Sequence, residues 1–383
     1  MKKTKISKAV LSFLLILTLC TGCAPASVIT DPTAAVPTAS PAPPPADASA
    51  EESPWHKFTR TDMSVFDTVI SLIGFAKEQA EFDAIADEAV RRLREFDHIF
   101  DGYNEYEGLH NLYYVNRYAA QEPVEIPEPL FDLLSWCKEQ WEAGLRETNV
   151  AMGAVLSIWH EYRDAGTKNP DAAQLPPMED LQSASQHVSF DQVTLDEEKH
   201  TVFFSDPALT LDIGAVAKGY AADAIADYLY SVMPSFLLSL GGNVYAGQPP
   251  LDGRAAWAVG VQDPKHSTEV GSGGVLDVLD VHDKTVVTSG DYWRYYVVDG
   301  ERYHHIIDPE TLMPSRKMLS VTILCDSSVL ADFLSTALFV LSYEDGRKLA
   351  DSLEGVEVMW VLPDGTVEAT EGMADYARSL RGR

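Results

Sequence analysis

Thr288-Ser-Gly-Asp-Tyr-Trp-Arg-Tyr-Tyr-Val-Val-Asp-Gly-Glu-Arg-Tyr-His-His-Ile-Ile-Asp-Pro309 carries two runs of β-forming residues around Asp299-Gly300. That dipeptide favours the type I′ turn of a tight hairpin, so antiparallel pairing is expected here. Thr288, Ser289 and Gly290 are expected to open the first strand with two hydroxyls and a free backbone. His304, His305 and Asp308 close the second beside Pro309. A polar, glycine-bearing segment then faces an imidazole and a carboxylate across the hairpin, an arrangement suited to a phosphate-containing ligand. An ordinary edge hairpin with surface histidines would use the same residues.

Working outward, Ser320–Leu324 reads as a strand and Ala331–Leu341 as a helix, followed by a helix, a strand and a hairpin at Pro363-Asp-Gly365. Upstream, Trp257–Gln262 and Leu276–Val281 read as strands, with a Gly/Ser-rich loop at Gly271–Gly274 between them. Leu209–Asp223 runs from a strand through a glycine turn into a helix over about Ala215–Met233, which feeds the strand Phe236–Leu240. Val188–Leu195 and Thr201–Phe204 pair around Asp196-Glu-Glu-Lys199. Residues 163–187 are polar and proline-containing, which predicts a surface excursion.

Met63–Phe75 alternates as one strand, and Phe82, Ile85, Ala89, Leu93, Phe96 and Phe100 recur at helical spacing. Pro129 suits the first turn of a second helix that Gly144 stops. Hairpins mixed with helices predict an α+β fold with mixed or antiparallel sheets.

The N-terminus reads as a processing signal. Lys2, Lys3, Lys5 and Lys8 precede the apolar run Ala9–Leu19, too short for a comfortable membrane span. Thr21 and Gly22 then precede Cys23, a lipobox-like pattern with Cys20 where Leu is usual, so residues 1–22 are expected to be removed and Cys23 lipidated. Residues 23–54 are an Ala/Pro/Ser/Thr tether without the apolar groups to build a core. The folded part is expected over 55–383.

The formal net charge is −29; without the leader's four lysines, 25 basic groups face 58 acids, giving −33. Such acidity argues against electrostatic binding of nucleic acid. A phosphate ligand would need local help from a metal, helix N-termini or a few basic groups. Cys137 and Cys325, the cysteines remaining beyond Cys23, have no metal-type spacing and are expected as buried small hydrophobes.

Three units share an anion- or cation-binding character. Asp212 lies before a helix start, Gly214 frees the backbone, and Lys218 follows one turn inside. Asp332 and Thr336 fall on one helical face with Ser335 beside them, oxygen donors suited to Mg²⁺. Gly241-Gly242-Asn243 follows a buried strand.

Together, these units resemble the FAD:protein FMN transferase family, also called ApbE. The order is Leu211–Asp223, Ser239–Asn243, Trp257–Pro264, Thr288–Tyr292, His305–Pro309, Ser320–Thr322 and Ala331–Ala337, with a looser match back to Phe66-Asp-Thr68. The resemblance implies two joined lobes with a flavin nucleotide and metal site between them. It implies cleavage of FAD and transfer of its FMN half to a Thr or Ser hydroxyl of another protein, releasing AMP. Asp212 and Lys218 would contact FAD. The carbonyl of Ala215, with Asp332 and Thr336, would bind Mg²⁺, and Ser335 stands where some members have Asp. Tyr103, Ala151, Met152, Gly153 and Ile307 match pocket positions, and Phe66 stands where members often have Met. Ser289 and Gly290 are assigned to the pocket wall. His305 matches the catalytic histidine and Asp308 would orient or assist it; His304 is assigned no role.

The resemblance implies acceptors among membrane redox complexes or extracytoplasmic flavoproteins, which fits an enzyme lipid-anchored on the outer face of the cytoplasmic membrane. Two other readings use the same residues: a Mg²⁺-dependent FAD pyrophosphatase with water as acceptor, and a non-catalytic flavin- or solute-binding lipoprotein.

Overall fold

Just past the end of the first strand, two residues with left-handed backbone turn the chain back on itself. In the computed structural model, which describes residues 53–266 and 274–382, β1 (His56–Val65) and β2 (Thr68–Ala76) pair antiparallel. Phe66 and Asp67, at φ 53° and 48°, make the two-residue turn between them. The expected single strand over Met63–Phe75 is therefore a hairpin. The leader, the tether up to residue 52, Cys23 and the loop 267–273 lie outside the described residues.

In chain order there follow α1 (Gln79–Phe100), α2 (Leu112–Tyr118), β3 (Val124–Glu125), α3 (Glu128–Glu142), α4 (Gly153–Lys168) and α5 (Met178–Ala184). Then come β4 (Val193–Asp196), β5 (Thr201–Phe204), α6 (Ala217–Val232), β6 (Phe236–Leu240) and β7 (Asn243–Ala246). β8 (Trp257–Gln262), β9 (Val275–Val281), β10 (Lys284–Gly290), β11 (Tyr296–Val298) and β12 (Glu301–Tyr303) lead to β13 (Ser320–Cys325). α7 (Ser328–Val340), α8 (Tyr343–Asp351), β14 (Glu357–Val361) and β15 (Val367–Ala369) finish the chain. No helix among the described residues is long and apolar enough to cross a membrane.

An eight-stranded sheet in the order β1-β2-β6-β7-β10-β13-β14-β15 forms the frame, with antiparallel pairing throughout. The fold is α+β. β13 is buried along its whole length and α7 is buried at ten positions, because α7 lies across the sheet at β10 and β13. Burying that apolar surface, at roughly 25 cal/mol per Å², fixes α7 as the inner helix. Asp223 of α6 accepts from the Ser328 and Val329 amides (2.7 and 3.0 Å) and from Ser327 Oγ (3.1 Å), capping α7 from a neighbouring helix. Gly219 permits close contact between these helices: a Cβ there would stand 2.4 Å from the Ser328 carbonyl oxygen.

The opening stretch divides differently from the expectation. Asp299 (φ 52°) and Gly300 (φ 84°) do turn a hairpin, β11–β12. Thr288–Gly290 does not open it: these residues close β10 in the large sheet, and residues 291–295 intervene. The excursion expected over 163–187 is largely ordered helix, since α4 runs on to Lys168 and α5 buries Leu181. Cys137 and Cys325 are both buried and free, and burial pushes each thiol up, Cys325 to about 12.

Candidate active site

Backbone contacts zip the Asn149–Gly153 turn to the segment before α6. Asp212 N donates to the Val150 carbonyl (2.8 Å), Gly153 N donates to the Thr210 carbonyl (3.1 Å), and Met152 bridges Thr210 in parallel. Asn149 Oδ1 accepts from Ala151 N at 2.9 Å. Gly153 has no side chain because a Cβ would meet the Thr210 carbonyl oxygen at 2.6 Å. The Asn116 side chain clamps the same segment, accepting from Leu211 N (2.8 Å) and donating to its carbonyl (2.9 Å). Ala151, Met152 and Gly153 are thereby fixed beside Asp212, whose own Oδ1 accepts from Gly214 N at 2.8 Å.

Lys218 is in the first turn of α6, nearer the helix start than its spacing from Asp212 predicts. Its Nζ donates to Asn243 Oδ1 at 2.9 Å and stands 3.8 Å from Asp332 Oδ1. Asp332 is 5 % exposed, and its Oδ2 accepts from Gly219 N at 2.9 Å. Burial pushes this carboxyl up, opposed chiefly by Lys218. The buried Asn243 Nδ2 makes no hydrogen bond of normal geometry, and its side chain is, after Lys218, the neighbour that most lowers the Asp332 carboxyl.

Thr336 is half-buried one turn along from Asp332, and Ala215 lies in the turn before α6. Carboxylate, hydroxyl and carbonyl form an all-oxygen set of the kind a hard cation takes. The under-compensated buried carboxylate of Asp332 fits such a cation, which Lys218 balances only at a distance. No cluster of three His, Cys, Asp or Glu side chains occurs among the described residues, so a metal here would rely on neutral oxygens and on its substrate. Ser335 is engaged otherwise: its hydroxyl donates to the Asp332 carbonyl (2.8 Å) and lies 2.8 Å from Ser289 Oγ. Ser289 thus braces α7 rather than lining an open wall, while Gly290 makes room for the Tyr292 ring, 2.3 Å from where a Cβ would be.

His305 is partly exposed, yet its Nδ1 is buried without a partner. Burial, then the charges of Arg294, His304, Arg163 and Lys218, push its pKa down to about 3, so the imidazole is neutral at ordinary pH. His304 is 3 % exposed; its Nε2 donates to the Ser315 carbonyl (2.7 Å) and its Nδ1 accepts from Ile306 N (3.2 Å). It is a satisfied core histidine.

Asp308 does not orient His305. One oxygen accepts from Glu310 N (2.9 Å) and Thr311 N (3.3 Å), and the other pairs with Lys317 Nζ at 2.9 Å. Its carboxylate shapes the turn behind His305 and faces a separate cavity of about 540 Å³ lined also by Trp141, Arg146 and Lys317. Ile307, 6 % exposed, packs in one apolar cluster with Met152, Trp159 and Tyr296. Phe66 sits at the β1–β2 turn, its amide donating to Asp97 Oδ1 at 3.0 Å. Tyr103 is 61 % exposed on a loop that Asn111 ties to the end of α1.

Residues 61–360 match the profile of the ApbE family. The chain belongs to the ApbE family. It is 35% identical over 319 residues to the FAD:protein FMN transferase of Treponema pallidum, covering 79% of this chain and 84% of that protein. It is 32% identical to one from Klebsiella pneumoniae, covering 64% of this chain and 73% of that protein. Among solved structures, the ApbE protein of Thermotoga maritima superposes with a TM-score of 0.73 at 28% identity, covering 84% of this chain and all (100%) of that one. The flavin transferase ApbE of Vibrio cholerae shares the fold, with a TM-score of 0.67 at 23% identity over 86% of this chain and 99% of that one.

Of the residues read from the sequence, those at α4's start, α6's start, the end of β10, the His305 loop and α7 are linked to one another, while the Asp308 carboxylate turns to Lys317. Sequence reading missed Asn116 as the clamp on the Asp212 segment. It also left without a role Asn243 as the partner of Lys218, and passed over Arg163 and Arg294, the cations near His305. Asn243 alone had a local signal, its place after the glycine pair.

Proposed function

We propose that this protein is a Mg²⁺-dependent FAD:protein FMN transferase. It cleaves FAD, joins the FMN half through a phosphoester to a Thr or Ser hydroxyl of an acceptor protein, and releases AMP. The observation that carries the reading is the neutral His305, with an unpartnered Nδ1, set among Lys218, Arg163 and Arg294 and near the Asp332 group. Phosphoryl transfer needs positioned charge neutralisation and an acceptor for one proton, and these residues offer both.

Lys218 would hold the diphosphate, and the Asn243 amide, fixed by its bond to Lys218, offers a further donor. Asp332, Thr336 and the Ala215 carbonyl would hold Mg²⁺, which when bound supplies positive charge to the phosphate oxygens. The acceptor hydroxyl gives its proton to His305 as its oxygen forms the new P–O bond and the bond to AMP breaks. Burial, and then the cations beside it, keep His305 unprotonated before substrate binds. A bound diphosphate cancels part of their charge and raises the basicity of the imidazole. Met152 and Ile307 offer an apolar wall for the flavin or adenine ring.

The leader, Cys23 and the tether support an enzyme anchored by lipid on the outer face of the cytoplasmic membrane, serving flavoproteins of membrane redox complexes or extracytoplasmic electron transfer. The test is mass spectrometry of such a flavoprotein after incubation with the enzyme, FAD and Mg²⁺. Added mass of one FMN on a Thr or Ser is expected. FMN and AMP released equally fast without acceptor, and no modified protein, would replace this reading with a pyrophosphatase.

A further inference from the structure

Arg163 and Arg294 are unusual in a chain with 58 acidic and 29 basic residues. Arg294 is exposed in the loop between β10 and β11, and it makes no hydrogen bond or ion pair among the described residues. Its backbone is left-handed, at φ 48°, a conformation that costs a non-glycine residue on the order of 1 kcal/mol and gathers at functional sites.

The packing of α4 against β11 sets the two arginines on one rim. A Cβ on Gly166 of α4 would stand 2.6 Å from the Tyr296 ring, and Tyr296 Oη donates to the Gln174 carbonyl at 3.1 Å. Arg163 lies one turn before Gly166, and Arg294 two residues before Tyr296. The charge of each reaches the other, and both reach His305 and Tyr103. Like charges gathered this way oppose each other, and burial adds to the cost at Arg163.

His160 fixes the inner partner. Its Nδ1 lies 3.1 Å from Arg163 Nη2 and 3.1 Å from Tyr103 Oη, and its Nε2 lies 3.5 Å from Asp164 Oδ2. With Nδ1 accepting from both donors, the ring proton belongs on Nε2, facing Asp164. A ring in that state holds one guanidinium nitrogen of Arg163 and leaves its other donors free.

We propose that Arg163 and Arg294 form a two-arginine clamp for the diphosphate of the dinucleotide substrate. The guanidinium fork matches phosphate oxygens in pairs, which a lysine does not. The substrate class rests on the transferase reading; the clamp itself requires only a diphosphate.

The test is calorimetric titration of the full chain, with Mg²⁺ present, by ADP and separately by riboflavin. ADP carries the diphosphate without a flavin, and riboflavin the ring without phosphate. Arg163→Gln and Arg294→Gln are each expected to weaken ADP about 10-fold, and the double variant about 100-fold. Riboflavin affinity is expected to stay within about twofold. Arg294→Gly should give the same loss while relieving the left-handed backbone, which separates a binding defect from a folding one. ADP affinity unchanged in the double variant, or no ADP binding by the unmodified chain, overturns the clamp. Arginine-dependent ADP binding without FMN transfer to any acceptor sinks the transferase reading and leaves the clamp. Normal transfer with arginine-independent ADP binding sinks the clamp alone.

Discussion

The hydroxyls of Ser289 and Ser335 lie 2.8 Å apart, joining the end of β10 to the middle of α7. Because Ser335 also donates to the Asp332 carbonyl, Ser289 is the donor in this pair. The bond links the sheet to the helix that carries Asp332 and Thr336. Ser335→Ala should lower the unfolding free energy by about 1 kcal/mol, as should Ser289→Ala. In urea titrations the double variant should cost less than the sum of the two, because both remove one bond. Strict additivity would show that the hydroxyls act separately.

Gly219 permits the close approach of α6 and α7 and also donates its amide to Asp332. Gly219→Ala places a methyl against the Ser328 carbonyl and the Val329 backbone. The helices must separate, at about 1–3 kcal/mol. Moving the Gly219 amide also frees Asp332 to shift, so Mg²⁺ affinity should fall together with stability. Thermal unfolding with and without Mg²⁺ reads both effects: the midpoint should drop, and its rise on adding Mg²⁺ should shrink. A lower midpoint with an undiminished Mg²⁺ response would separate helix packing from the site.

These two glycine and serine contacts also mark what the sequence could and could not disclose. β6, β8 and the β11–β12 hairpin were legible because a period of two, or the Asp299-Gly300 turn, is local chemistry. The β1–β2 turn was not, because Phe66 occupies a left-handed position that usually announces itself by Gly or Asn. α5 buries only Leu181, too little for a periodic pattern. Asp332, Lys218 and His305 were named through the ordered motifs of the family. Arg163 and Arg294 sit in no motif and become neighbours only through the packing of Gly166 on Tyr296. Asp308 misled because proximity in sequence to His305 says nothing about its carboxylate, which Lys317 takes.

Stability should fall on mild acidification through His304. Unfolded histidine titrates near 6.5, whereas burial pushes the folded value down to about 4. Between these values the unfolded chain binds a proton that the fold rejects. The contribution of His304 is therefore fully present above about pH 6.5 and is lost as pH falls toward 4, on the order of 1.4 kcal/mol per pH unit. Urea midpoints measured from pH 7 to pH 5 should decline, and His304→Gln should flatten that decline even though it lowers stability at pH 7. An unchanged slope in the variant would remove His304 as its source.

His305 is expected to act on chemistry rather than on binding. His305→Ala removes the proton acceptor, and transfer should fall about 10²- to 10⁴-fold. FAD affinity should change little, because a neutral imidazole contributes no charge to holding a diphosphate. The pH profiles add a second check. In the free enzyme burial, with a smaller part from the surrounding cations, keeps His305 at about 3, so kcat/KM should show no acid limb from it above pH 5. With substrate bound, the diphosphate offsets those cations and the pKa rises, so kcat should fall on the acid side at higher pH than kcat/KM does. Single-turnover transfer to an acceptor, measured from pH 5 to pH 9 with saturating and with limiting FAD, reads the two profiles. Coincident acid limbs would mean that substrate leaves the charge around His305 unaltered.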